Sequence, residues 1–130
     1  MHAAPRKPVL LIGLEPGAVD FSDFPGMNER VLVAGLQSAL DAVNGAGFDA
    51  QWCLVDAVWD TAREKIAAAL AAHAPVAVMI GAGVRTAPAH FLLFERIVNL
   101  VHEAAPDARL CFNSSPPSTL EAVLRWVSPS

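Results

Sequence analysis

Basic residues are scarce in this chain: nine lysines and arginines stand against thirteen aspartates and glutamates in 130 residues, for a formal charge of −4. The nine (Arg6, Lys7, Arg30, Arg63, Lys65, Arg85, Arg96, Arg109 and Arg125) are dispersed. Nucleic acid binding draws on a basic stripe that displaces counterions from phosphates, and attachment to anionic lipid draws on a polybasic cluster; the sequence has neither. Cysteine is equally sparse. Cys53 and Cys111 are too few for a disulfide framework or a metal knuckle, and their apolar neighbours mark them as free, buried thiols.

Long apolar runs are also missing. The longest uncharged window, Ile66 to Val84, reaches 19 residues but contains His73, Pro75, Gly81 and Gly83, so it reads as the end of a helix followed by a strand rather than a membrane span. The run Val9 to Leu14 is shorter than a signal-peptide core and lacks a cleavage site behind it, so a cytoplasmic chain is the expectation. Familiar nucleotide and hydrolase signatures are absent. Gly81 and Gly83 are followed by Thr86 where a third dinucleotide-binding glycine belongs, and neither GxxxxGK[ST] nor GxSxG occurs.

What is present is apolar and regularly punctuated. The chain is 54% hydrophobic and only 17% charged, with a mean hydropathy of +0.40, which suits strands buried on both faces together with a surface for self-association. A single domain over residues 1–130, with residues 1–7 as a flexible lead-in and a homo-oligomeric state, is the expectation.

Four strands and four helices alternate along the sequence. Pro8 to Leu14, Phe48 to Val55, Val76 to Gly81 and Ala108 to Phe112 read as strands. Helices follow from Asn28 to Gly45, from Asp60 or Thr61 to Pro75, from Thr86–Pro88 to Pro106, and from Ser118 onward. Thr61 with Glu64, and Ser118 with Glu121, have the spacing of capping boxes. The order βαβαβαβα implies a parallel sheet with helices on both faces, a three-layer α/β sandwich. Right-handed crossovers, with the two most apolar strands central, give strand order 2-1-3-4, a truncated flavodoxin-like or Rossmann-like arrangement.

In such sheets a ligand crevice opens beyond the carboxyl ends of the strands, where the winding reverses. Here that point lies between the first and third strands. It is flanked by "EPGAVDFSDFPG" and "GAGVRTAPAH", with "NSSPPST" alongside. Arg85 and Thr86 follow two glycines at a helix start, where a guanidinium would grip an anion; the competing reading has Arg85 neutralise Glu15 or Asp20. His90 falls in a first helical turn, which favours a neutral imidazole able to move a proton; the competing reading is a capping or packing histidine.

Asp20 and Asp23 could share that proton-transfer role, and with Glu15 and Asp56 could hold Mg²⁺, although their spacing matches no dedicated metal loop. Acidic loop residues otherwise serve as turn and helix caps. Asn113 and Ser114 offer hydrogen bonds, while Pro116 and Pro117 remove two N–H groups that a phosphate cradle would use. Phe21 and Phe24 read either as a lid or as core. Trp52, Trp59 and Trp126 read as core or interface, because no basic surface accompanies them. A small polar or anionic molecule is the expected ligand, no cofactor is specified, and the competing class is a noncatalytic oligomeric interaction protein.

The segments "GLEPGAVDFSDFPG", "WCLVD", "GAGVRTAPAHFLLFERIVNLVHEAAP" and "CFNSSP" followed by "RW" together resemble a group of small bacterial α/β proteins without an established activity, over Val9 to Trp126. That resemblance implies a self-contained bacterial domain and carries over no functional residues.

Overall fold

A computed structural model describes residues 5–130. Its strands are β1 (Pro8–Leu14), β2 (Asp49–Val55), β3 (Ala77–Ile80) and β4 (Arg109–Phe112). The helices are α1 (Glu29–Gly45), α2 (Trp59–His73), α3 (Ala82–Arg85), α4 (Phe91–Ala104) and α5 (Thr119–Leu124). The sheet is four-stranded, all parallel and ordered β2-β1-β3-β4, which is the arrangement the alternation of elements predicts. Hydrogen bonding on both sides of β1 fixes its register: Val9 lies beside Ala50 and Ala77, and Ile12 beside Cys53 and Ile80.

Because successive side chains of a strand point to opposite faces, each apolar strand feeds two cores. Leu10, Ile12 and Leu14 of β1 join Val78 and Ile80 of β3 beneath α2 and α4, where Ile66, Leu70, Ile97 and Val101 close the layer. Val9 and Leu11 join Ala77, Met79 and Cys111 beneath α1 and α5, against Val43, Phe48 and Val123. Right-handed crossovers put α1 on one face and α2 and α4 on the other, since β1 to β2 runs toward one edge while β2 to β3 and β3 to β4 run toward the other. Hence the winding reverses between β1 and β3.

Asn28 caps α1 as its position predicts, its Oδ1 accepting from Val31 N at 2.9 Å. The two expected capping boxes do not form. Helix α2 starts earlier, at Trp59, because Asp56 just after β2 supplies the acceptor for Val58 N at 3.2 Å and for Thr61 Oγ1 at 2.7 Å. Ahead of α5 the box links Ser115 and Ser118 around the Pro116–Ser118 turn, so Ser118 is spent before it can pair with Glu121. Within the expected flexible lead-in, Arg6 Nη1 donates to Asn44 O at 2.7 Å and Lys7 Nζ to Ser128 O at 2.9 Å; residues 1–4 lie outside the described residues. No helix among the described residues is long and apolar enough to cross a membrane.

Candidate functional site

A cavity of about 130 Å³ opens at the carboxyl ends of β1, β3 and β4, where the sheet's winding reverses. Gly13 and Leu14 bring the end of β1 to it, Gly81 to Gly83 the exit of β3, and Asn113 to Pro116 the exit of β4. The long β1–α1 connection supplies Val19, Phe24 and Met27; α1 adds Leu32 and Leu36, and β2 adds Trp52.

Two close approaches give the cavity its shape. A Cβ on Gly13 would come within 3.2 Å of Trp52 Cζ3, so glycine at this position lets the indole lie across the end of β1. The ring is fixed from its other side by Nε1, which donates to Leu36 O at 2.9 Å. On the second wall, a Cβ on Gly35 would meet Pro116 Cβ at 3.2 Å. Glycine there lets α1 press against the β4 exit.

The β1–α1 connection forms the outer wall. It contains two short 3₁₀ turns, Pro16–Ala18 and Phe21–Asp23. Among the described residues, the backbone hydrogen bonds donated by residues 16–27 close inside the segment, on Glu15, Pro16, Asp20, Phe21 and Phe24. What ties it to the body is apolar: Val19 packs against the core, and Phe24 and Met27 face the cavity. Phe24 thus lines the cavity, while Phe21 is half-buried in the same segment and does not line it.

Asn113 is the polar residue at the floor. Only 4% exposed, it uses Oδ1 to accept from Ala82 N at 2.8 Å and Nδ2 to donate to Thr119 Oγ1 at 2.9 Å. Its carbonyl oxygen accepts from Arg85 Nη2 at 2.7 Å. Arg85 therefore braces the β4 exit from behind. It is absent from the cavity lining and pairs with neither Glu15 nor Asp20, and its buried Nε has no partner. Thr86 turns back on its own helix, Oγ1 donating to Ala82 O at 2.8 Å.

The remaining expected site residues are placed separately. Ser114 lines the cavity mouth, its N–H donating to Ser118 Oγ at 3.0 Å. Glu15 makes an exposed ion pair with Lys65 at 3.6 Å, an arrangement worth little in water. Asp20 caps its own turn, accepting from Ser22 N at 3.0 Å and Ser22 Oγ at 2.6 Å. Those two hydrogen bonds to the ionised form hold its carboxyl below the ordinary carboxylate value. Asp23 is exposed in the same turn, and His90 closes the 3₁₀ turn Pro88–His90 ahead of α4; neither lines the cavity. Among the described residues no three His, Cys, Asp or Glu side chains gather as a metal site would require.

Leu32, Leu36, Met27 and Trp52 escape a reading of the sequence alone. Leu32 and Leu36 sit on the apolar stripe of α1 and so look like core, and nothing local to Trp52 says that a glycine lies diagonally across from it on β1; the register between β1 and β2, which pairs Leu11 with Trp52 and so sets Gly13 two residues beyond, is needed to see it. Comparison with protein-family models, curated proteins and solved structures gives no significant match to this chain.

Proposed function

We propose that this chain binds a small molecule in the crevice beyond β1, β3 and β4, with the β1–α1 connection as its cover. The observation that carries the reading is convergence: three strand exits and the long connection meet around one cavity at the point where α/β sheets collect ligands. Binding fits the geometry better than proton-transfer catalysis, since His90, Asp20 and Asp23 stand off the cavity. Two free, buried thiols favour the cytoplasm as the setting.

A thermal-shift screen over small carboxylates, phosphates, sugars, alcohols and amides, run on the wild type and on Leu32→Phe, tests the reading. A ligand at about a hundredfold over its Kd adds roughly 2.7 kcal/mol, a rise of roughly ten degrees for a chain of this length. Hits that move the wild type and leave the filled-cavity variant unmoved are the expected result. A screen that moves nothing, or moves both proteins alike, ends the proposal.

Self-association is a second reading, favoured by one feature. At the start of α4, Phe91 is 66% and Leu92 54% exposed, beside Trp59, over whose ring Arg96 lies at 5.9 Å. Sedimentation should show an oligomer that Leu92→Glu converts to monomer; a monomeric wild type at high concentration removes this reading.

A further inference from the structure

We infer that the crevice selects an uncharged ligand, a compact hydrocarbon body carrying one hydroxyl or amide group, rather than an anion. The inference rests on the crevice being a ligand site. None of the side chains around the cavity carries a formal charge, so a carboxylate or phosphate drawn inside would lose its hydration without gaining an ionic partner. Arg85, the nearest cation in sequence to the glycines of the β3 exit, is committed to the backbone of Asn113 and does not line the cavity.

The body of the ligand is set by Leu32, Leu36, Phe24, Met27 and the indole of Trp52. The indole N–H is already used by Leu36 O, so the ring offers the cavity only carbon surface. A volume of about 130 Å³ is close to that of an apolar cavity of about 150 Å³ that takes up benzene.

The deepest polar contact is set by Asn113, the one buried polar side chain of a lining that also carries Ser114 and Ser115 nearer solvent. A primary amide has two N–H groups and two carbonyl lone pairs, and the protein engages one of each, through Thr119 Oγ1 and Ala82 N. One donor and one acceptor remain on a side chain that is 4% exposed and lines the cavity. A hydroxyl or an amide, itself both donor and acceptor, matches that pair; a dianionic phosphate, which only accepts, matches half of it.

The test compares benzyl alcohol, benzoate and inorganic phosphate on the full chain. Trp59→Phe with Trp126→Phe leaves Trp52 as the sole fluorophore, and amide chemical shifts of Gly81, Gly83 and Ser115 in the wild type give a second readout that needs no variant. Benzyl alcohol should perturb Trp52 and those amides saturably, with a Kd at least tenfold below that of benzoate, and phosphate should neither bind nor compete. Equal or tighter binding of benzoate at the same amides, or competition by phosphate, overturns the uncharged class while leaving the site standing. If none of the three probes perturbs Trp52 or the amides, the ligand class falls together with the site.

Discussion

Asn113 shows how much a single side chain organises here. It joins the β4 exit to the start of α3 through Ala82 N and to the start of α5 through Thr119, whose own hydroxyl hydrogen is spent on Pro116 O at 2.8 Å. Asn113→Ala leaves a backbone donor without its partner in a nearly sealed place, which costs about 1–3 kcal/mol, and the denaturant midpoint should fall accordingly. Asn113→Asp should lose stability too: it keeps an acceptor for Ala82 but sets a carboxylate oxygen against a Thr119 oxygen that has no hydrogen left to give. Cys111 presents the opposite case, a side chain whose surroundings suppress its chemistry. Burial pushes its thiol up from the ordinary 9.0 to about 11 and pushes Cys53 up as well. In the unfolded chain the thiol ionises first, so between pH 9 and 11 the unfolded state binds fewer protons and the folded state loses its advantage as pH rises. Stability contributed by the neutral thiol is therefore complete below about pH 9 and lost through about pH 11. Chemical denaturation across that window should show a steeper alkaline decline for wild type than for Cys111→Ala, and a thiol reagent at pH 8 should label neither cysteine until the chain unfolds.

At the scale of elements, helix ends reveal which local signals the fold uses. Helix α2 stops before Pro75 as a proline requires, yet the residue that makes the turn is Ala74, in the left-handed region at φ 46° and ψ 58°. An alanine there carries a Cβ penalty of roughly 1–2 kcal/mol that glycine escapes, offset in part by the greater freedom glycine gives the unfolded chain, about 0.4–1 kcal/mol. Ala74→Gly should therefore stabilise by roughly 0.5–1 kcal/mol, read as a rise in the denaturant midpoint at unchanged slope. A drop would mean that the fold pays for this cap in some way the backbone angles do not express. The capping boxes teach the complementary lesson. Thr61 and Ser118 carry the right residue types at the right spacing, but Asp56 and Ser115 stand closer to where the chain turns out of β2 and β4, and the nearer group takes the bond.

For the molecule as a whole, sheet order was legible because β1 and β3 are apolar at nearly every position, and only central strands covered on both faces tolerate that. The place of the crevice followed from that order, and Asn113 and Ser114 with it. The cavity's apolar walls were not legible: Leu32 and Leu36 follow the same periodicity whether they face core or cavity, and Trp52 reaches the site only because its register against Leu11 lets its ring lie diagonally over Gly13. Nor could spacing show that Arg85 would turn to the Asn113 carbonyl. The finished architecture sets a gradient of local stability with a functional reading. Amides of β1 lie between two paired strands and beneath two cores, so they exchange hydrogen only on global unfolding. Residues 16–27 follow a few positions later on the same chain, but their backbone bonds are local, and half-buried side chains, Val19, Phe24 and Met27 among them, hold the segment down. Their amides should exchange orders of magnitude faster than those of Val9 to Ile12, through openings that leave the sheet intact. A ligand in the crevice would touch Val19, Phe24 and Met27, so its binding should slow exchange at residues 16–27 and leave β1 nearly unchanged. Hydrogen exchange read by mass spectrometry, with and without a hit from the screen, checks both halves; a connection already as protected as β1 in the free protein would show a rigid wall instead of a cover that opens.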